Sequence, residues 1–271
     1  MIRIVFGMPG AGKTALMTHL LNMYVYDQNR IRAMQEEMQR KNKNGWNLTI
    51  PPHPVSCNYD LKSYKFGSRR YENRAINPFR LGFKNNFVKT HFNFPYEVIG
   101  IDEAQKYLNS RMSMYFPDWQ SRWYEQHRHN NLEIFLSTQR PMLIDINIRE
   151  LASFIEIREI KIKKYDMFGN PAKIAWKVRV IENSRLFDRY MSSGEKDTET
   201  YQEKIIEADY NVFSCYDSQS CKPKFYDGHF DEDIDYLTST NFEESVESYK
   251  NYLKNNDDEL PDGFFQKKKL T

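Results

Sequence analysis

Near the N-terminus, Gly7-Met8-Pro9-Gly10-Ala11-Gly12-Lys13-Thr14 sets three glycines, a cation and a hydroxyl at the spacing G-x-x-x-x-G-K-[ST]. Glycine opens backbone angles that other residues resist, so successive N–H groups can converge on one anion. A lysine at the end of such a loop reaches the β- and γ-phosphates of a nucleotide, and the hydroxyl after it serves Mg²⁺. A helix starting there points the positive end of its dipole at the same phosphates. The chemistry predicted for residues 7–14 is therefore the binding of ATP with Mg²⁺.

A phosphate loop of this kind needs a carboxylate for the metal at the tip of a neighbouring strand. The apolar run Tyr96-Glu97-Val98-Ile99-Gly100-Ile101 ends in Asp102, which meets that need. Glu103 follows at once and is placed to deprotonate an attacking water, since a carboxylate in hydrogen-bond reach lowers the cost of ionising it. The alternative for Glu103 is an acid that opens a helix and complements its dipole. A further strand ends in Ser137-Thr138-Gln139, and a polar side chain at such a tip can sense the γ-phosphate and hold the water. Gln139 is the candidate, with Thr138 in reserve; the competing reading is a plain turn before Pro141. His127-Arg128-His129 offers Arg128 as a finger for the phosphate of an adjacent subunit, with Arg140 and Arg149 as competitors. The alternative is a polar helix end. Zinc finds no further ligands nearby.

The elements that must position these groups follow from periodicity. Residues 1–6 read as a buried strand, and apolar residues then recur at helical spacing (Leu16, Leu20, Tyr24, then Ile31, Met34, Met38) up to Asn44-Gly45, as one helix or two. Pro51-Pro52-His53-Pro54 is rigid extended chain before a strand at 55–59. Residues 103–111 suit a helix, Asp118 caps another running to about His129, and 133–137 form a strand. A helical turn spans 145–152. Two alternating runs, 154–164 and 173–181, flank Asp166-Met167-Phe168-Gly169-Asn170 and predict a β-hairpin, with a bulge near Arg158-Glu159. Helices are expected at 199–209 and 243–253, and 254–271 reads as a loose tail. The fold class is α/β: a P-loop NTPase parallel sheet flanked by helices, with an appended β-hairpin and a partly irregular C-terminal region. The expected organisation is an ATPase domain at 1–185, carrying a basic insertion at 60–94, and an acidic C-terminal region at 186–271.

Composition bounds the rest. With 271 residues, 40% hydrophobic and 28% charged, the chain has the length for one full core and an appendage. A mean hydropathy of −0.77 and no apolar run of about 18 residues predict a soluble cytoplasmic protein without a transmembrane segment. The N-terminus does not read as a signal peptide. Cys57, Cys215 and Cys221, odd in number and widely spaced, read as reduced thiols. The net charge of +2 conceals an asymmetry: eight basic residues against one acidic at 62–89, and 19 acidic against 9 basic at 193–271. Tyr64, Phe66, Tyr71, Phe79 and Phe83 lie among the basic residues, a composition suited either to single-stranded DNA or to a solvated loop with aromatic anchors.

Taken together, the N-terminal Gly-Met-Pro-Gly-Ala-Gly-Lys-Thr, Ile99-Gly100-Ile101-Asp102-Glu103-Ala104-Gln105 with Arg111 after it, His127-Arg128-His129, Leu136-Ser137-Thr138-Gln139-Arg140-Pro141 and Ile144-Asp145-Ile146-Asn147-Ile148-Arg149 resemble the N-terminal ATPase domain of the zonula occludens toxin (Zot) family. That family includes the assembly ATPases of filamentous phages, in the HerA–FtsK-like branch of P-loop motors. The resemblance covers roughly residues 1–185. It implies an assembly factor at the inner membrane of a bacterial host, powering export of single-stranded DNA virions with coat and membrane proteins as partners. It also implies a homo-oligomeric ring, a hexamer by analogy. Family members commonly carry a transmembrane helix after the ATPase domain, and this sequence shows none. Nothing in the residues points to a toxin activity. Two other classes share the loop: a small-molecule kinase, which needs a substrate lid with paired arginines, and a nucleotide-gated scaffold whose hydrolysis is vestigial.

Overall fold

The structure, a computed structural model, describes residues 1–43 (Tyr26 excepted), 55–59, 74–76, 96–111, 118–193 and 196–216, with Leu61, Pro78 and Leu81. Near the middle of one sheet lies β1 (Ile2–Gly7), paired in parallel with β5 (Glu133–Thr138) on one side and β6 (Ala152–Tyr165) on the other. Beyond β5 come β4 (Val98–Ile101), β2 (Val55–Cys57) and β3 (Arg74–Ala75), all parallel. Beyond β6, the antiparallel strands β7 (Pro171–Ile181) and β8 (Gln202–Asp209) complete the order β3-β2-β4-β5-β1-β6-β7-β8.

The central strands read as apolar runs because helices cover both faces. Alternation along β1 divides the core: Ile2, Ile4 and Phe6 pack with Trp123, Tyr124, Ile148 and Phe187, whereas Val5 packs with Ala15 and Leu16. The first face is covered by α3 (Asp118–Glu125), α4 (Ile146–Glu150) and α5 (Ser184–Ser193), the second by α1 (Lys13–Val25). The apolar spacing after Gly12 resolves into two helices. The Asp27 carboxylate accepts the backbone N–H groups of Asn29 and Arg30, each at 3.1 Å, and caps α2 (Gln28–Lys43) as a separate helix. Arg30 then ties α2 to the carbonyls of Tyr96 (2.6 Å) and Asn131 (3.1 Å).

Several sequence expectations are corrected. The helix expected at 103–111 is replaced by a 3-10 turn at Ala104–Lys106 and irregular chain after it, because Glu103 takes a left-handed conformation (φ 53°) that turns the chain as it leaves β4. Residues 199–209 are chiefly strand, not helix: β8 pairs with β7 residue for residue from Lys173↔Asp209 to Val180↔Gln202, and sheet pairing outweighs helical propensity. The expected hairpin is present and joins the parallel sheet through β6, which pairs with β1 from Ile2↔Ala152 to Gly7↔Ile157; the bulge falls between Ile157 and Glu159, as expected. The stretch 60–94 is not wholly a surface excursion, for β3 lies in it and Ile76 and Leu81 are core residues. The sequence reading has no counterpart for α5, whose Phe187 stacks on Phe154 at 3.8 Å. Asn44-Gly45, the prolines at 51–54, most of 60–94, the helix expected at 243–253 and the tail lie outside the described residues.

Close packing of α1 on the sheet depends on Gly100. A Cβ there would stand 2.5 Å from Leu21 Cδ1 and 3.3 Å from Cys57 Cβ. Gly100→Ala is therefore expected to lower stability by about 1–3 kcal/mol, as overpacked cores do. Urea unfolding followed by circular dichroism checks this; an unchanged midpoint contradicts it.

Candidate nucleotide site

β1 ends at Gly7, and the chain then wraps through Met8–Gly12 into α1. Gly10 (φ 76°) and Gly12 (φ 78°) occupy the left-handed region, where a side chain is strained. Gly12 is also tightly seated: a Cβ there would lie 3.1 Å from both Ile160 Cδ1 and Trp176 Nε1. Trp176 is fully buried in β7 and stacks beneath His19 of α1, so the floor of the loop is an indole. The Lys13 ammonium lies across the inner face of the loop, donating to the carbonyls of Met8 (3.0 Å) and Gly7 (3.3 Å). Burial pushes its pKa down, and the charges of Glu103 and Asp102 oppose that shift.

The sequence places Asp102 on a strand next to the loop strand. It stands instead two strands away, because β5 lies between β1 and β4. The gap is closed by α1, which crosses that face of the sheet and packs Met17, Leu21 and Val25 on Val55, Val98 and Phe135. Its first turn carries Thr14 to Asp102, with Oγ1 donating to Oδ2 at 2.9 Å. Ser137 of β5 donates to the other carboxylate oxygen. Asn58, just past β2, clamps the main chain of the same residue: its Nδ2 donates to the Asp102 carbonyl (3.0 Å), and its Oδ1 accepts the Asp102 N–H (2.8 Å). Burial raises the Asp102 pKa, against the two hydroxyl bonds that favour the carboxylate. A buried carboxylate beside a hydroxyl, facing a phosphate loop, is the donor set a hard divalent cation takes, so the residues fit Mg²⁺.

Glu103 points its carboxylate toward β5. Gln139 Nε2 lies 3.5 Å from Oε1, Gln105 Nε2 donates to Oε2 at 2.6 Å, and Lys106 stands 3.7 Å away. Thr138 is buried, and its hydroxyl accepts the Arg140 N–H at 3.1 Å, so it serves the turn. The structure thus brings Lys13, Thr14, Asp102, Glu103 and Gln139 to one end of the sheet.

The sequence profile of the family described as zonular occludens toxin (Zot) matches residues 77–221, more than half of the chain. The chain belongs to the zonular occludens toxin family. The matched stretch holds Asp102, Glu103 and Gln139, and the phosphate loop precedes it. Among solved structures, the N-terminal domain of zonular occludens toxin from Neisseria meningitidis is similar at 19% identity and a TM-score of 0.50, covering 80% of this chain and 98% of that one. That likeness speaks to the fold, a mixed α/β sheet flanked by helices. The genome-packaging NTPase B204 from Sulfolobus turreted icosahedral virus 2 also matches, in complex with ATP-gammaS, at 11% identity and a TM-score of 0.37, over 75% of this chain and 95% of that one. No curated protein matches the chain.

Arg128 is not brought to the site in this Zot-family chain. It is exposed in the 3-10 turn Gln126–Arg128, which leads into the start of β5. There the Met1 ammonium donates to the Leu132 carbonyl at 2.6 Å, so Arg128 lies at the end of the sheet opposite the loop. His127 is a core histidine: its Nδ1 donates to the Tyr124 carbonyl at 2.6 Å, and burial lowers its pKa. Arg149 is engaged by the Ile144 carbonyl and Met142 Sδ, each at 3.1 Å, while Arg140 is exposed beside Gln139. No group of three or more metal-ligating side chains occurs among the described residues. Sequence reasoning missed Asn58 and the indole beneath Gly12. A polar residue near the end of the predicted strand at 55–59 was the available signal for Asn58; nothing local marks Trp176.

Gly12→Ala is expected to weaken binding of a fluorescent ATP analogue at least tenfold while the protein stays folded. The added methyl meets Trp176 at a strained φ. Titration by fluorescence anisotropy measures it, and an unchanged affinity would show the loop to be more tolerant than this packing allows.

Proposed function

We propose that this chain is an ATP-hydrolysing motor of the zonular occludens toxin type, which assembles as a ring and powers filamentous-phage morphogenesis and export of single-stranded DNA virions at the host inner membrane. The observation that carries the reading is the convergence of Thr14, Asp102, Glu103 and Gln139 beside the Lys13 loop, from α1, β4 and β5. In this reading residues 7–14 cradle the phosphates of ATP, and Lys13 exchanges its two loop carbonyls for β- and γ-phosphate oxygens. Thr14 and Asp102 would hold Mg²⁺, which would supply charge neutralisation for the phosphates. Glu103 accepts the proton of the attacking water, and Gln139 Nε2 steers the water and carboxylate together. Asn58 and Ser137 act as positioning residues for Asp102. An arginine from a neighbouring copy completes the site, for which Arg128 and Arg140 are both exposed. Coat and membrane proteins of the phage, and single-stranded DNA, are the partners this function requires.

Lys13→Ala is expected to abolish ATP binding. Glu103→Gln is expected to keep binding and trap ATP, lowering turnover by about 10²–10⁴-fold, the usual worth of a general base. Equal loss of ATP affinity in both variants would overturn this division of labour. Unchanged turnover in Glu103→Gln would favour the nucleotide-gated scaffold, and turnover only with an added phosphate acceptor would favour a kinase.

With a nonhydrolysable ATP analogue and Mg²⁺, light scattering and electron microscopy are expected to show a closed ring of about six copies, as closed cyclic symmetry with a heterologous interface permits. A monomer at high concentration contradicts the motor.

A further inference from the structure

One polar atom of the core lies without a hydrogen bond directly beneath the loop at 7–14. Trp176 is fully buried, and its Nε1–H finds no acceptor among the described residues. That edge of the ring is turned to the loop: a Cβ on Gly12 would stand 3.1 Å from Nε1 but 4.0 Å from the adjoining Cδ1. A buried donor left unpaired is costly, so folded chains carry few of them, and each asks for a reason.

The strands around the indole keep other acceptors away from it. β6 and β7 run past the end of β1 as a hairpin arm, exposed from 161 to 170. At the base of that arm Ile157 faces Val178, and the bulge that follows shifts the register by one, so that Ile160 faces Trp176. Without the bulge Glu159 would take that place. Its carboxylate would accept the indole N–H and would set a negative charge beneath a loop that takes anions. Glu159 instead pairs with Lys161 at 2.8 Å. The indole lies among Ile155, Ile157, Val178 and Val212, and His19 of α1 stacks on it at 6.0 Å, which fixes the plane of the ring.

The loop has an acceptor to offer. The Gly7 and Met8 carbonyls accept from Lys13 Nζ, and the Gly12 carbonyl accepts the Leu16 N–H at 2.9 Å. The Ala11 carbonyl belongs to the same peptide unit as the Gly12 N–H, and Ala11 packs on the cluster that holds Trp176. In a trans peptide the N–H and the C=O point opposite ways. A Gly12 N–H turned to a phosphate oxygen therefore sends the Ala11 carbonyl away from the anion, toward the floor of the loop.

We propose that Trp176 is a positioning residue for the phosphate loop, its indole N–H donating to the Ala11 carbonyl once the Gly12 N–H has turned to a phosphate oxygen. This deepens the nucleotide reading and rests on it. Deuterated full-length protein with ¹⁵N-labelled tryptophan is titrated with adenylyl imidodiphosphate and Mg²⁺, and the indole N–H resonances are followed by NMR. Of the four tryptophans in the sequence, Trp176 is assigned by the resonance lost in Trp176→Phe. That resonance is expected to move downfield on binding, as a new hydrogen bond requires. Incorporating β-(3-benzothienyl)alanine at position 176 keeps the shape of the ring and puts sulfur in place of the N–H. Affinity for the analogue is expected to fall about tenfold, the worth of one hydrogen bond to a buried donor, while the melting temperature does not fall. A floor that acts by shape alone would leave the isostere binding as the wild type does, and that result overturns the proposal. It is also overturned if the isostere melts lower in step with its lost affinity, or if the Trp176 resonance stays in place at saturation. Wild-type protein that binds no analogue in an anisotropy titration sinks the nucleotide reading and this inference with it, whereas binding with an unmoved indole resonance sinks this inference alone.

Discussion

One contact organises this molecule: the Thr14 hydroxyl reaching the Asp102 carboxylate across an intervening strand. Taking a carboxylate out of water is costly unless partners replace the lost hydration. Around Asp102 the chain supplies them from α1 (Thr14), β5 (Ser137) and the end of β2 (Asn58), so three elements must stay in register for one side chain to be tolerated. The same demand explains the packing of α1. Its first turn can overlie β5 and β4 only if the helix lies close against the sheet, which Gly100 permits by leaving room for Leu21.

The left-handed turn at Glu103 is the second consequence of that arrangement. With Asp102 anchored on both its side chain and its main chain, a sharp change of direction follows, and the Glu103 side chain is carried toward β5 and Gln139. A regular helix from 103 onward would have satisfied local preference but carried the carboxylate elsewhere. Strain at one residue of a site is sustained by well-bonded neighbours on both sides.

The loop and the arm share a foundation. Gly12 rests on Trp176 and Ile160, and these belong to the strands that run on to become the hairpin. The end of the sheet that carries residues 7–14 and the exposed hairpin tip are thus joined through continuous β-structure rather than through a loop.

What the amino-acid sequence determines by itself is carried by residues that are close neighbours along the chain. The phosphate loop, the Asp102–Glu103 pair at a strand end, Gln139 at another strand end and the hairpin with its bulge are local patterns, set by glycine freedom, apolar runs and strand alternation. Those patterns establish which chemistry the chain can host. Tertiary structure alone decided that β5 separates β1 from β4, that Asn58 and Ser137 hold Asp102, that an indole floors the loop, that Arg128 lies at the far end of the sheet, and that 202–209 is strand. Each of these depends on pairing or packing between segments distant along the chain, whose energies exceed local preference and leave no periodic trace in it.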